Sequence, residues 1–265
     1  MQKGPFLFHM SLMMTMTSSS TSSSGPISLD AIKNRLQAEG FMFLPAQQTR
    51  ALLQQQHAAD WESFADSWND LGVDRYMADG GRYRRRRYAT FSLADGHITP
   101  KQHQPHYQSR DYNLLNGGIE RWFSPIKDEI VEHPTLRAIL AMSADMASSL
   151  TPTSQHPYKW HAEVHQFRIE ADPQTQAKPT PEGMHRDGVD WVFVFMVDRD
   201  NIREGVTSIH TLDQKTTLGS FTLAQPMDAA IVNDHRVYHG VTAVEPEDPT
   251  KPAHRDVLVV TLRYE

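Results

Sequence analysis

Cysteine is absent from all 265 residues of the chain. That single absence removes disulfides, thiolate zinc sites, iron–sulfur clusters and a thiol nucleophile together. It fits a reducing compartment, and a cytoplasmic location is the expectation. Long apolar runs are missing too, since no window approaches the roughly 18 apolar residues that a membrane-spanning helix needs. Nor is there an excess of positive charge. With 26 Lys and Arg against 32 Asp and Glu the net charge is −6, so nucleic acid and anionic membranes exert no general attraction and any basic site must be local. What remains for chemistry is imidazole and carboxylate. The 14 histidines offer a ligand type that suits oxygen-activating iron as well as zinc.

Residues 1–26 carry Phe6, Leu7, Phe8 and a methionine cluster, interrupted by His9 and by Ser and Thr, with no clear small-residue cleavage site after them. The Ser-rich tract from Ser18 to Pro26 has nothing apolar to bury, so this stretch reads as a disordered tail rather than a signal peptide. Ordered structure is expected over 27–265 as one domain, without internal repeat or linker. Leu29, Ile32 and Leu36 share a helical face and Gly40 is a natural stop. Phe41–Leu44 reads as a strand closed by Pro45, residues 47–69 as a second helical stretch, and Pro134 to Leu150 as another helix. From about Lys159 the texture becomes short β-rich runs, at 162–169, 191–197, 206–212, 220–223, 229–232, 236–242 and 256–263, separated by turn formers such as Asp187-Gly188 and Glu204-Gly205. Short strands at regular spacing indicate a sandwich or barrel. The fold class is therefore α+β, mainly β: N-terminal and flanking helices, within 27–158, around a jelly-roll core at 159–265.

The chemistry concentrates in Gly183-Met184-His185-Arg186-Asp187-Gly188 and in Tyr238-His239-Gly240. In extended backbone, residues i and i+2 point the same way, so His185 and Asp187 can offer an imidazole and a carboxylate to one ion. His239, 52 positions later (239 − 187), supplies a third ligand from another strand. Two histidines and one carboxylate on one face of an octahedron leave room for a chelating cosubstrate and O₂, the arrangement of non-haem Fe(II) oxygenases. A His-x-Asp pair alone is a weak signal in a chain with 14 histidines; a histidine on a later strand and a basic residue beyond it strengthen the reading. That residue is Arg255, 16 positions (255 − 239) after His239. A dicarboxylate cosubstrate would bury its distal carboxylate, which needs a cation, and a guanidinium gives two parallel donors and stays charged. Arg263 has the same strand parity but lies near the far end of the strand.

The segments 164–168, 182–188, 237–242 and 254–261, together with Arg84-Arg85-Arg86-Arg87-Tyr88 and 107–113, resemble the bacterial 2OG-Fe dioxygenase family that includes L-isoleucine 4-hydroxylase. The resemblance covers most of 27–265. It implies a double-stranded β-helix, Fe(II) with 2-oxoglutarate and O₂ as cosubstrates, and hydroxylation of a free aliphatic L-amino acid with release of succinate and CO₂. Carried over by position, His185, Asp187 and His239 would be the iron ligands and Arg255 the 2-oxoglutarate anchor. One departure is Arg203-Glu204-Gly205, where relatives tend to have a Gly-Gly pair. A cupin-like metal protein, an isomerase or binder without oxygen chemistry, is the same-fold alternative.

The run Arg82 to Tyr88 is the most basic segment. In a strand Arg84, Arg86 and Tyr88 take one face, and Tyr83, Arg85 and Arg87 the other. Arg84 and Arg86 are candidate substrate-carboxylate ligands; a solvated surface and a nucleic-acid patch are the competing readings. Gln166 and Arg168 are further candidates for lining the pocket. Asn116-Gly117-Gly118 reads as a turn before a helix around Ile119 to Phe123, and Trp191 and Phe193 as core. The partner expected is a small-molecule substrate, with no nucleic acid and no membrane; a homodimer is left open.

Overall fold

A computed structural model describes residues 27–77, 80–174 and 177–265; the expected tail at 1–26 lies outside the described residues. The elements are α1 (Leu29–Glu39), β1 (Phe41–Leu44), α2 (Ala46–Gln55), α3 (Trp61–Asp66), β2 (Gly72–Val73), β3 (Arg84–Ala94), β4 (His97–Pro100), α4 (Asp128–Val131), α5 (Pro134–Leu150), β5 (Lys159–Ala171), β6 (Trp191–Asp200), β7 (Ile202–Glu204), β8 (Val206–His210), β9 (Thr217–Thr222), β10 (Ala229–Asn233), β11 (Tyr238–Val241), β12 (Val244–Pro246) and β13 (Ala253–Tyr264). An antiparallel sheet in the order β1-β10-β6-β13-β5-β3-β2, with β4 on β3, forms the larger layer, and β11-β8-β9 the smaller one. The two open sheets stack as a jelly roll. Strands from the first third of the chain, β1 and β3, are built into the same sheet as the C-terminal strands.

The large sheet separates two chemical environments by strand parity. One face of β6 and β13, with Phe193, Phe195, Leu258, Val260 and Leu262, packs against Ile32 and Leu36 of α1 and Leu136, Ile139 and Leu140 of α5. The other face, with Val192, Val194, Met196, Val257 and Val259, looks toward the small sheet. Trp191 and Phe193 both belong to the helix-side core. Helix α1 starts on Ser28, whose hydroxyl accepts from Ala31, and stops at Gly40 in the left-handed region at φ 81°.

Two local readings need correction. Residues 47–69 do not form one helix, because His57 and Asp60 adopt left-handed backbone at φ 60° and 59°. Asp60 then caps α3 by accepting from the Ser63 amide at 3.2 Å. The helix expected around Ile119 to Phe123 does not form. That stretch begins in a bend at Ile119, with Arg121 and Phe123 buried and Trp122 exposed, and Arg121 bridges His106 through backbone hydrogen bonds of 2.9 and 3.0 Å. The Glu204-Gly205 turn keeps both residues at positive φ, 64° and 75°, so Glu204 holds a left-handed conformation that a glycine would adopt without strain. A side chain on Gly205 would meet Val244 Cγ1 at 2.9 Å and Arg255 Cδ at 3.6 Å.

Phe193 is fully buried between the sheet and the helices. Phe193→Ala is expected to lower the unfolding free energy by about 3–5 kcal/mol, read from urea denaturation. A loss under about 1 kcal/mol would contradict that placement.

Candidate metal centre and its cavity

The loop between β5 and β6 carries His185 and Asp187. His185 forms an antiparallel bridge with His239 of β11, its amide donating to His239 O at 2.9 Å and receiving the reverse bond at 3.0 Å. This bridge adds one more chain to the edge of the small sheet and sets the two rings 4.4 Å apart between centroids. His185 Nδ1 lies 3.1 Å from Gly183 O, a contact that makes Nδ1 the protonated nitrogen and leaves Nε2 free to ligate. Nε2 sits 3.7 Å from Asp187 Oδ1, and His239 Nε2 sits 3.5 Å from Asp187 Oδ2. One potential ligand atom from each of the three residues lies within 4.8 Å of the others. His239 Nδ1 is buried with no hydrogen-bond partner.

Asp187 is held in place by Asp234, a residue the sequence reading passed over. Its buried carboxylate accepts from the amides of Asp187, Gly188 and Val189 at 3.0, 2.7 and 3.2 Å. Gln108 Nε2 donates to Asp187 O at 3.1 Å from the opposite side. Gly188, at φ 79°, leaves no space for a side chain, since Tyr112 would lie 2.6 Å from its Cβ. Burial pushes the Asp187 pKa up, but the hydrogen bond and charges of His239 and His185 outweigh it and the carboxyl stays ionised. Burial and the nearby Asp187 charge raise that of Asp234.

Arg255 begins the inward face of β13, in register with Ile169 of β5, which in turn pairs with Arg84 of β3. It is 2% exposed and its Nε has no partner. Among the described residues it makes no ion pair. Burial, then the charge of Arg199, pull its pKa down to about 10, the signature of a cation short of a counter-anion. Arg263 has the same parity but is exposed. Arg255, the His185–Asp187–His239 cluster and the apolar side chains Val194, Ala230 and Val257 line one cavity of about 370 Å³.

The 2OG-Fe dioxygenase family model matches residues 65–261. The chain belongs to that family. Among solved structures it is similar to a bsmA homolog from Methylobium petroleophilum PM1, at 34% identity and a TM-score of 0.80, covering 91% of this chain and 94% of that one. IDO from Bacillus thuringiensis shares the fold at 19% identity and a TM-score of 0.71, covering 91% and 97%. Two curated relatives are 3(1)-hydroxy-L-isoleucine 4-dioxygenase of Pantoea ananatis, 25% identical over 86% of this chain and 93% of that protein, and L-isoleucine-4-hydroxylase of Bacillus thuringiensis, 23% identical over 88% and 91%. As a 2OG-Fe dioxygenase the protein uses Fe(II), 2-oxoglutarate and O₂. The residues present fit that set: two imidazoles and a carboxylate converge, and an unpaired guanidinium lines the same cavity.

In this 2OG-Fe dioxygenase the basic run is not a surface patch. Arg84 and Arg86 point inward and both reach Asp74, at 2.8 and 3.4 Å, while Arg85 and Arg87 point outward to Glu170 and Asp70. Arg86 also donates to His165 Nδ1 at 2.7 Å and lies over the Phe123 ring. Gln166 and Arg168, expected along the pocket, are on the opposite face of β5. Gln166 donates to Ser67 Oγ at 2.8 Å, and Arg168 grips Asp256 at 2.8 and 2.6 Å. The cavity-facing parity of β5 is that of Glu163, His165 and Phe167.

A second imidazole–carboxylate cluster, His106, Glu163 and His165, has spacing that could hold an ion. Its hydrogen bonds argue otherwise. His165 Nδ1 accepts from Arg86, so its proton resides on Nε2, which faces Glu163 at 3.8 Å. Burial drives the His165 pKa down to about 3, and the ring is neutral. Neither nitrogen has a free lone pair for a metal. The sequence reading assigned no role to Glu163, Arg121, Glu182 and Asp234; Glu182 opens the segment 182–188 that carries the resemblance, and the alternation within β5 could have singled out Glu163.

Asp234→Ala removes the acceptor that fixes three amides of the metal loop. It is expected to weaken Fe(II) or Mn(II) binding about 10- to 100-fold, measured by anaerobic titration, with the far-UV circular dichroism unchanged. An unaltered affinity would show that the loop holds its shape without that carboxylate.

Proposed function

We propose that the protein hydroxylates the side chain of a free aliphatic L-amino acid, with His185, Asp187 and His239 as iron ligands and Arg255 as the 2-oxoglutarate anchor. The observation that carries the reading is that the three-ligand cluster and an unpaired buried guanidinium line one small cavity. Its volume, about 370 Å³, lies at the lower end of the roughly 300–1,000 Å³ of ligand sites, which suits a short dicarboxylate with a small substrate. The curated relatives named for isoleucine and hydroxyisoleucine support the substrate class.

Bound Fe(II) supplies the redox chemistry by which one oxygen atom of O₂ enters the substrate C–H bond and the other enters succinate, with CO₂ released. The protein's residues do the rest. Asp187 remains ionised, so one charge of the ion is neutralised by a fixed carboxylate. His185 keeps its Nδ1 proton on Gly183 O and presents Nε2. Arg255 would take the distal carboxylate of the cosubstrate through paired donors. Val194, Ala230 and Val257 exclude water around it, so side reactions are suppressed.

Anaerobic addition of Fe(II) and 2-oxoglutarate should produce a weak visible charge-transfer band, and an amino-acid panel in air should yield succinate with at least one aliphatic member. Asp187→Ala is expected to abolish both. Arg255→Ala should keep metal binding and raise the apparent 2-oxoglutarate requirement by roughly thirtyfold or more. Metal binding without a band or succinate would point instead to a metal protein without oxygenase chemistry, and an unchanged 2-oxoglutarate requirement would remove Arg255 from the role.

A further inference from the structure

Six buried or half-buried charges surround the substrate side of the cavity, and they differ in what they have left to offer. Arg84 and Arg86 share the one carboxylate of Asp74, and Arg86 spends a further donor on His165 while its Nε is buried without a partner. Glu163 is saturated: Tyr88 Oη and His106 Nδ1 both donate to it at 2.9 Å. The Nε2 atoms of His161 and His165 face it at 3.7 and 3.8 Å. Lys101 donates to His161 Nδ1 at 2.9 Å, so the His161 proton also points at Glu163. Burial opposes ionisation of Glu163, but these donors overcome it and hold the pKa well below the ordinary value.

Among the described residues of this group, Arg121 is the cation left with no ion pair and Glu182 the carboxylate left with an unpartnered buried oxygen. Arg121 is 3% exposed, lines the cavity, makes no ion pair among the described residues and has a buried Nε without a partner. Burial first, then the charge of Arg84, lower its pKa. Glu182 lines the same cavity; its Oε2 is buried without a partner, and its Oε1 lies 3.8 Å from His185 Nε2. An unpaired buried cation and an unpaired buried carboxylate oxygen are each costly. Yet the two side chains do not close on one another into a salt bridge. A cavity with one unsatisfied pole of each sign complements a molecule that carries both, and the head of an α-amino acid is such a molecule.

We propose that Arg121 receives the α-carboxylate and Glu182 the α-ammonium of the substrate, so that the zwitterionic head is read by two opposite poles and the apolar side chain is left to the iron. This rests on the free amino-acid reading above and adds the residues that select for it. It moves the carboxylate site from Arg84 and Arg86, which both already pair with Asp74, to a residue outside the basic run that has no ion pair.

The test uses the full chain and three ligands: the amino acid that gives the most succinate, its deaminated carboxylic acid and its primary amide, the last two as competitive inhibitors. Arg121→Met is expected to raise KM for the amino acid and Ki for the deaminated acid about 10- to 100-fold while leaving the Ki of the amide unchanged. Glu182→Gln should raise KM for the amino acid and Ki for the amide by a similar factor and leave the deaminated acid unaffected. Both variants should keep the anaerobic Fe(II)–2-oxoglutarate band, which separates substrate recognition from folding and metal loading. Equal effects on all three ligands, no effect on any, or loss of the band would overturn the assignment. A wild-type protein that forms the band but yields no succinate with any free amino acid would sink the substrate class and this inference with it. A wild-type protein without the band would sink the dioxygenase chemistry itself.

Discussion

His185 and His239 exchange backbone hydrogen bonds of 2.9 and 3.0 Å across a single antiparallel bridge, and the chemistry of the site depends on that exchange. The residues are far apart in sequence, and neither strand edge alone could bring two imidazoles and a carboxylate to one point. Because the bridge is a sheet contact, its geometry is set by backbone and not by flexible side-chain torsions. The loop that carries His185 and Asp187 is then fixed a second time, by the Asp234 carboxylate on three successive amides. Backbone amides next to a desolvated anion need an acceptor, and here the acceptor also holds the loop around the ligands.

Charge burial explains the rest of the cavity. A low-dielectric interior penalises each lone charge, and the chain answers in two ways. On the walls, Asp74 pairs with Arg84 and Arg86, and Glu163 accepts from a ring of hydrogen-bond donors. At Arg255, Arg121 and Glu182 the matching is left undone. Charged groups left without a close counter-charge in a buried cavity are, on the reading proposed above, where ligands supply the missing partner, by the same reasoning that makes buried unsatisfied groups rare elsewhere.

Much of this was legible in the sequence, and for identifiable reasons. The i, i+2 spacing of His185 and Asp187 and the later His239 located the cluster, because strand parity is a strict rule. The same rule separated Arg84 and Arg86 from Arg85 and Arg87. It did not say which face of a strand looks at the cavity, so Gln166 and Arg168 were placed on the wrong side of β5: both faces of that strand are buried, one by helices and one by the small sheet. Helix α1 with its Gly40 stop was readable from periodicity and capping. The break within 47–69 was not, since it turns on left-handed backbone at His57 and Asp60, where no glycine announces it. Arg121 was hidden because its segment follows two glycines, and it became a cavity residue only through long-range pairing with His106.

The ring of Tyr112 occupies the space above Gly188 where any other residue would place its Cβ, and Gln108, from the same segment, holds the Asp187 carbonyl. The stretch from His106 to Phe123 is thus seated directly on the metal loop while also delivering Arg121 to the substrate side. With Arg121 in its proposed role, substrate choice and the geometry of the metal loop are mechanically joined in one connecting segment. Grafting that segment between related enzymes would transplant recognition only where the recipient also has glycine at the seat beneath the tyrosine.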